Sequence, residues 1–297
     1  MAHDHQPSDD HPEAPSLGQD LRRLLGRRKV MGLMMAGAGS AFVTSCGGGS
    51  GSSGTSITAT ASAATNSSSS SSSTSSTSSA SASTGCTEAA TNTNGPFPAD
   101  GSNTINGSVV NVLSQSGIVR SNITTSFGSY SGTAAGVPLK LTITVESGCA
   151  PAAGYAVYIW HCDENGLYSL YNTTDQNYLR GVQVSDSNGQ VTFTTIFPAC
   201  YSGRMPHIHV EVYASLATAT VETNALKVTQ LTFPLATMQS VYNNVSAYSA
   251  SIANLAATSF SEDMVFAGDT SAQLTAATVT MSGGYSSGFI GTVTVEI

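Results

Sequence analysis

The chain has 297 residues, of which only 9% are charged, and its 18 Asp and Glu against 10 Lys and Arg give a formal net charge of −8. A sparse, acidic charge without a basic stripe excludes a protein that follows nucleic-acid phosphates, because such proteins cluster Lys and Arg on one face. The composition also changes sharply along the chain, so no more than about two thirds of it is predicted to form a packed domain.

The first 46 residues have the composition of an export signal. A polar leader and a basic cluster precede the apolar run 30–43, which is too short to span a bilayer comfortably. The pair Arg27-Arg28 resembles a twin-arginine signal, and Val-Thr-Ser-Cys at 43–46 resembles a bacterial lipobox. We predict an exported protein, lipid-anchored through Cys46 at the cell envelope or released as a periplasmic or extracellular protein. An ordinary signal peptide with a chance cysteine is the alternative.

A tether follows the signal. Residues 47–86 consist almost entirely of Gly, Ser, Thr and Ala, which have too little apolar surface to offset the entropy lost on ordering. We predict a flexible linker that lets a domain at 87–297 stand off a membrane. The membrane would then be contacted only through the anchor at Cys46.

Four cysteines remain beyond Cys46, namely Cys86, Cys149, Cys162 and Cys200. An even number in a chain directed to an oxidising compartment favours two disulfides. Three pairings are open, and free thiols or a thiolate metal site are alternatives.

The domain at 87–297 has the pattern of short β-strands. Apolar residues rich in Val, Ile, Thr and Tyr alternate with polar ones at 139–145, 155–160, 190–196, 207–213 and 292–297. Asp163–Gly166 and Asp186–Gly189 are turn sequences that suit connections between strands. We predict an all-β fold, an antiparallel β-sandwich, with short peripheral helices at 237–244 and 250–257.

Histidines supply the first indication of chemistry. His161, His207 and His209 are the only ones beyond the signal. On a strand, residues i and i+2 project from the same face, so His207 and His209 could bind one ion together. Histidines at this spacing are also common in cores and on surfaces, and a zinc site that adds His161 is a further alternative.

The sequence around this pair carries more specific motifs. Residues 197–210 read Phe-Pro-Ala-Cys-Tyr-Ser-Gly-Arg-Met-Pro-His-Ile-His-Val, so Arg204 stands three residues ahead of a His-x-His and Tyr201 closes a Pro-x-x-Tyr. Upstream, Ile-Trp at 159–160 is followed by Gly-Leu-Tyr at 166–168. These motifs resemble the iron-binding stretch of the intradiol ring-cleavage dioxygenases, such as catechol and protocatechuate dioxygenases. Asn-Gly-Pro-Phe-Pro at 94–98 and Thr-Gln at 229–230 extend the resemblance, while Cys200 departs from it because many exported relatives place an aromatic residue there.

The resemblance implies a ferric cofactor, Fe(III), with four protein ligands: Tyr168, Tyr201, His207 and His209. Two phenolates and two neutral imidazoles suit a hard cation and balance much of its charge. The resemblance further implies that Tyr168 is also catalytic, because it accepts a substrate proton and leaves the metal. Tyr171 and Tyr178 are weaker candidates for the same position.

Two more catalytic residues are implied by the resemblance. Arg204 would stabilise negative charge that develops on the substrate, and Gln230 would donate a hydrogen bond near the ring. The alternatives are a structural ion pair for Arg204 and a cross-strand structural amide for Gln230.

We therefore predict a non-haem Fe(III) intradiol dioxygenase that inserts both atoms of O2 into a catechol-type ring and gives a cis,cis-muconate-type product. The expected partners are a small aromatic diol and O2, with no nucleic acid, and the chain is expected to be a monomer or a loose dimer. The alternatives are a non-catalytic aromatic- or metal-binding surface lipoprotein of the same fold and a purely structural sandwich.

Overall fold

A computed structural model of the protein describes residues 86–297. The export signal, the Cys46 anchor and the tether up to residue 85 lie outside these residues and stay predictions. Among the described residues, none of the helices has the length and apolarity that crossing a membrane requires.

Within residues 86–297, eleven strands form three sheets. The strands are β1 Asp100–Ile105, β2 Ser108–Asn111, β3 Pro138–Ser147, β4 Ala150–Pro151, β5 Ala156–Trp160, β6 Arg180–Val184, β7 Gln190–Ile196, β8 Ile208–Tyr213, β9 Ala225–Leu231, β10 Thr280–Gly284 and β11 Gly288–Glu296. β1 and β2 form a hairpin, β10-β11-β3-β4 with β7 beside β3 forms a five-stranded sheet, and β6-β5-β8-β9 forms a four-stranded sheet. The prediction of a mainly β fold is confirmed.

The two larger sheets differ in how their faces are covered. Along β3, Leu139, Leu141, Ile143 and Val145 are buried while Lys140 is exposed, as expected for a strand with one covered face. Every residue of β5 and β8 is buried. The four-stranded sheet is therefore covered on both faces in its middle, and apolar residues of both sheets join one hydrophobic cluster.

One pairing departs from the antiparallel prediction. β11 runs parallel to β3, with Phe289 opposite Leu139 and Glu296 opposite Glu146, whereas the other pairings of named strands at 86–297 are antiparallel. Parallel neighbours need a long connection, and here it is most of the chain between Ser147 and Gly288. No local sequence pattern shows such a pairing.

Three α-helices lie between β9 and β10, α1 Leu235–Asn244, α2 Ser249–Ala256 and α3 Ser271–Ala277. The first two confirm the predicted helices. α3 was not predicted, although its capping box is visible in the sequence: the Thr270 hydroxyl accepts from the Gln273 backbone N–H, and the Gln273 side chain accepts from the Thr270 backbone.

The four cysteines that the structure describes form one disulfide rather than two. Cys86 is bonded to Cys149, while Cys162 and Cys200 are buried free thiols. The second predicted disulfide is therefore wrong. Each thiol instead donates to a backbone carbonyl oxygen. The Cys162 Sγ lies 3.6 Å from the oxygen of Ala199, and the Cys200 Sγ lies 3.3 Å from that of Arg204.

Loss of the disulfide is expected to destabilise the domain. The bond joins residues 63 apart in sequence, so it removes much conformational freedom from the unfolded chain, and a Cys86→Ser/Cys149→Ser variant should lose about 2–4 kcal/mol of unfolding free energy. Urea unfolding with and without a reducing agent measures this. Reduction should destabilise the wild type and leave the double variant unchanged, and equal curves for oxidised and reduced wild type would contradict the prediction.

Candidate metal centre

Two imidazoles meet where β8 begins. His207 precedes β8 and His209 lies within it, and their Nε2 atoms are 3.1 Å apart. The Nδ1 of His207 lies 2.7 Å from the Met205 carbonyl oxygen, so Nδ1 carries the proton and Nε2 keeps a free lone pair. Burial lowers the pKa of both histidines well below the ordinary value. Both rings are therefore neutral, the form that binds metals.

Two phenol oxygens complete the cluster. Tyr168, in the loop between β5 and β6, places its Oη 3.1 Å from His209 Nε2 and 3.4 Å from His207 Nε2. Tyr201, in the loop between β7 and β8, places its Oη 3.1 Å from His207 Nε2 and 3.3 Å from Tyr168 Oη. Two loops and one strand thus bring two oxygens and two nitrogens to one point.

The four side chains fit a single metal ion. Four ligand atoms around one ion at tetrahedral angles are about 3.3 Å apart, and the contacts between these atoms span 3.1 to 3.4 Å. Burial raises the pKa of Tyr168 and Tyr201, so the phenols need a cation nearby to ionise. A hard, highly charged cation such as ferric iron meets this need.

The strand register places one side chain on each side of His209. His209 pairs with Trp160 of β5 on one side and with Gln230 of β9 on the other, and paired residues project from the same face. The His209 and Trp160 rings stack at 4.6 Å, 3° from parallel. The imidazole is therefore fixed with Nε2 toward the cluster, and its buried Nδ1 has no hydrogen-bond partner among residues 86–297.

The segment Asn94–Pro98 packs against His209 and Trp160. Gly95 has φ +71°, and a Cβ on it would lie 2.4 Å from His209 Cε1, so glycine is required for both conformation and space. The Trp160 indole N–H donates to the Pro96 carbonyl at 3.4 Å, and the Phe97 ring lies 5.4 Å from that of Tyr168. The segment singled out in the sequence is therefore part of the site.

Arg204 and Gln230 lie beside the cluster in a buried polar chain. The Arg204 Nη2 donates to the Gln230 Oε1, and its Nε donates to both carboxylate oxygens of Asp263 at 3.1 and 3.0 Å. The Gln230 Nε2 donates to the Thr93 carbonyl at 3.4 Å. Both alternatives considered for these residues are thus present as contacts: an ion pair for Arg204 and an amide held between neighbouring segments for Gln230.

Asp263 is the residue of this site that sequence reasoning missed. The Ser- and Thr-rich sequence after Asn243 carries no chemical motif, yet Asp263 is fully buried against Arg204. The only available signal was the rarity of acidic residues there, because Glu262, Asp263, Asp269 and Glu296 are the only four. That signal does not say which one is buried.

Comparisons with known proteins show what the described domain is similar to. Residues 121–235 match the family model described as Dioxygenase. The solved structure of an intradiol ring-cleavage dioxygenase from Tetranychus urticae is 25% identical, with a TM-score of 0.54, over 71% of this chain and 95% of that one. The segment 121–235 thus belongs to the dioxygenase family, and the described domain is similar to an intradiol ring-cleavage dioxygenase over most of that protein's length.

A second solved structure, a crystal structure of a dioxygenase, is also 25% identical, with a TM-score of 0.52, over 71% of this chain and 94% of that one. A comparison with curated proteins gives no match. Members of the intradiol family are oxidoreductases, so the predicted family and class of enzyme are confirmed. The matched residues contain every site residue predicted from the sequence, whereas Asp263 lies beyond them.

Two tyrosines considered as rival ligands of this intradiol domain lie elsewhere. The Tyr171 hydroxyl donates to Asn103 Oδ1 at 2.7 Å, and the Tyr178 hydroxyl donates to Asp163 Oδ2 at 3.2 Å. Neither reaches the histidine pair. Of the three tyrosines between β5 and β6, Tyr168 alone contributes its oxygen to the cluster.

The zinc alternative with three histidines does not fit the structure. His161 is buried, with its Nδ1 2.8 Å from the Cys162 carbonyl oxygen and its Nε2 2.7 Å from the Thr195 hydroxyl. Both ring nitrogens are therefore engaged away from His207 and His209. His161 is a core residue that joins β5 to β7.

His161 is expected to make stability pH-dependent. Burial lowers its pKa from 6.5 to about 4, so between these values the unfolded chain binds a proton that the folded chain does not. The stability is complete above pH 6.5 and falls as the pH drops toward 4. His161→Gln keeps a group able to bond Thr195. Its free energy of unfolding should fall less steeply than that of the wild type, by up to about 1.4 kcal/mol per pH unit.

Urea unfolding of the metal-free wild type and the His161→Gln variant at pH 7 and pH 5 measures this difference. His207 and His209 titrate in the same direction without metal, so the variant should keep part of the decline. An equal decline in both proteins would contradict the assignment of a buried neutral imidazole.

Proposed function

We propose that this domain is an Fe(III) intradiol dioxygenase that cleaves a catechol-type ring between its two hydroxylated carbons. Both atoms of O2 enter the product, one on each of those carbons, which gives a cis,cis-muconate-type diacid. The observation that carries the proposal is the meeting of Tyr168, Tyr201, His207 and His209 at one point. The family membership of the domain supports the same chemistry at the level of ring cleavage.

The four clustered residues would hold the iron. When bound, ferric iron would supply the Lewis acidity that stabilises the catechol as its deprotonated dianion, the electron-rich form that reacts with O2. The protein's own residues would accept the protons that the substrate loses. By resemblance to the intradiol family we assign the Tyr168 Oη, which lies within hydrogen-bond distance of the other three cluster atoms, as the atom that accepts a proton from the substrate.

Arg204 would stabilise negative charge on the bound substrate. Its Nε and Nη2 are engaged by Asp263 and Gln230, while Nη1 makes no hydrogen bond among the described residues. The guanidinium is buried, with an exposed fraction of 2%, and a fixed charge in a water-poor site acts strongly on developing charge. The Gln230 Oε1 holds the guanidinium in place, and its Nε2, which donates to the Thr93 carbonyl at 3.4 Å, stays the predicted donor toward the ring.

The sandwich architecture is also a proposal. The shared cluster of buried residues from the five-stranded and four-stranded sheets supports two sheets packed face to face. In this arrangement the metal centre lies at the end of the four-stranded sheet, where β5 ends and β8 begins. Rigid strands then position the site from one side and loops from the other.

Incubation of the iron-loaded protein with catechol under ¹⁸O2 tests the function. We expect a diacid whose mass exceeds that of catechol by two ¹⁸O atoms, because each former hydroxyl-bearing carbon gains one. A product with one labelled atom would point to a different oxygenase reaction. An iron-bound protein without turnover on simple catechols would favour the metal-binding surface lipoprotein instead.

Export and anchoring at Cys46 are proposed on the sequence of residues 1–46 alone. Membrane and soluble fractions of cells that produce the wild type and a Cys46→Ala variant separate the outcomes. The wild type should enter the membrane fraction and the variant should not. Equal distribution would reject the anchor, and sedimentation of the solubilised protein would decide between the proposed monomer and loose dimer.

A further inference from the structure

Asp263 has the contacts of a buried hub. It lies between α2 and α3, its exposed fraction is 0%, and its carboxylate accepts from the Arg204 Nε and from three backbone N–H groups. These belong to Met205 at 2.6 Å, Val265 at 2.8 Å and Phe266 at 3.1 Å. A carboxylate without water needs such partners, because burial of an unpaired charge is very costly.

The ion pair constrains how Arg204 presents its charge. Both Asp263 oxygens bind the Nε edge of the guanidinium, and Gln230 binds Nη2. A planar guanidinium held at two positions has no remaining freedom to rotate. The direction of the remaining nitrogen, Nη1, is therefore fixed by these two partners.

We propose that Asp263 is a positioning residue of the active site, which acts through Arg204 by fixing the direction of its guanidinium. The inference rests on the proposed function, since Arg204 matters for turnover only if the ring is cleaved here. Asp263 itself need not touch the substrate. It lies outside the segment that matches the family model, so the chain beyond that segment would contribute to this site.

A second chain of hydrogen bonds leads from Asp263 to the proposed iron ligand His207, and its effect must be distinguished from the effect through Arg204. Asp263 binds the Met205 N–H, and the Met205 carbonyl accepts from the His207 Nδ1. If this route dominated, loss of Asp263 would disturb the iron ligand rather than the arginine. The ferric-tyrosinate band of the iron-loaded protein reports on that ligand.

A double-mutant cycle separates the two routes. Asp263→Asn should lower kcat about 100-fold, because a misplaced group can cost that much, with the ferric band unchanged. In an Arg204→Gln background the same substitution should change kcat less than about 3-fold, since the residue it acts through is already gone. Equal losses in both backgrounds, or loss of the ferric band, would overturn the proposal.

Glu262→Gln is the matched control for Asp263→Asn and should behave as the wild type. Glu262 is the exposed neighbour, and within residues 86–297 its carboxylate bonds only the Ser259 hydroxyl. If Asp263→Asn does not fold, Asp263→Glu keeps the charge, moves the carboxylate by one methylene and takes its place in the cycle.

A readout without turnover distinguishes failure of this proposal from failure of the proposed function. In the metal-free chain with ¹⁵N-labelled arginine, the Nε–H signal that disappears in Arg204→Gln belongs to Arg204. It should exchange slowly with water in the wild type and at least about 10-fold faster in Asp263→Asn, as expected when a buried hydrogen bond is lost. Unchanged exchange would overturn the positioning role even if ring cleavage is established.

Discussion

Tyr168→Phe and Tyr201→Phe are each expected to abolish measurable ring cleavage and to lower iron affinity at least about 100-fold. Loss of even a group that only supports a metal ligand costs about 10- to 100-fold, and each of these substitutions removes an anionic ligand outright. The ring and its packing remain, including the contact of Tyr168 with Phe97. The effect therefore comes from the oxygen, and iron titration with catechol turnover measures it.

Tyr178→Phe is the matched control for this experiment. It makes the same chemical change in the same loop, but the hydroxyl it removes bonds Asp163 outside the cluster. Iron affinity and turnover should stay within about 3-fold of wild type, as for changes away from a functional site. A Tyr178 variant that loses iron while the Tyr168 variant keeps it would contradict the ligand assignment.

Arg204→Gln is expected to lower kcat about 10²- to 10³-fold, as removal of one fixed group that stabilises developing charge does elsewhere. It also leaves the Asp263 carboxylate buried without its cation, so the free energy of unfolding should fall by about 3–5 kcal/mol. The ferric band should remain, because no metal ligand changes.

Arg204→Lys separates charge from geometry. Lysine keeps a positive charge for Asp263 but cannot bind Asp263 and Gln230 together as the guanidinium fork does. The lysine variant should therefore recover most of the stability and little of the turnover. Recovery of both would show that a charge alone suffices, and recovery of neither would place Arg204 in the core only.

Much of the fold could be predicted because its strands follow local rules. The alternation in β3 and the turn at Asp186–Gly189 are properties of short segments, and the His207-x-His209 spacing fixes one face of one strand. The loops that carry Tyr168 and Tyr201 are predicted by the family resemblance and not by local rules of strand and turn formation. Spacing alone could not choose Tyr168 over Tyr171 and Tyr178, because that choice depends on how the loop folds back.

What could not be predicted depends on contacts between distant residues. The parallel pairing of β3 with β11, the bond between Cys86 and Cys149 and the burial of Asp263 against Arg204 each join segments more than 55 residues apart. A lone acidic residue in a Ser-rich region resembles any solvated side chain. Only the folded chain shows that this carboxylate faces an arginine.

The visible absorption spectrum of the iron-loaded protein, before and after addition of catechol under nitrogen, tests the central claim most directly. We expect a burgundy band from charge transfer between tyrosinate and ferric iron, and a shift of this band when catechol binds. A protein that stays colourless after iron loading would contradict the assignment of Tyr168 and Tyr201 as ligands of a ferric ion.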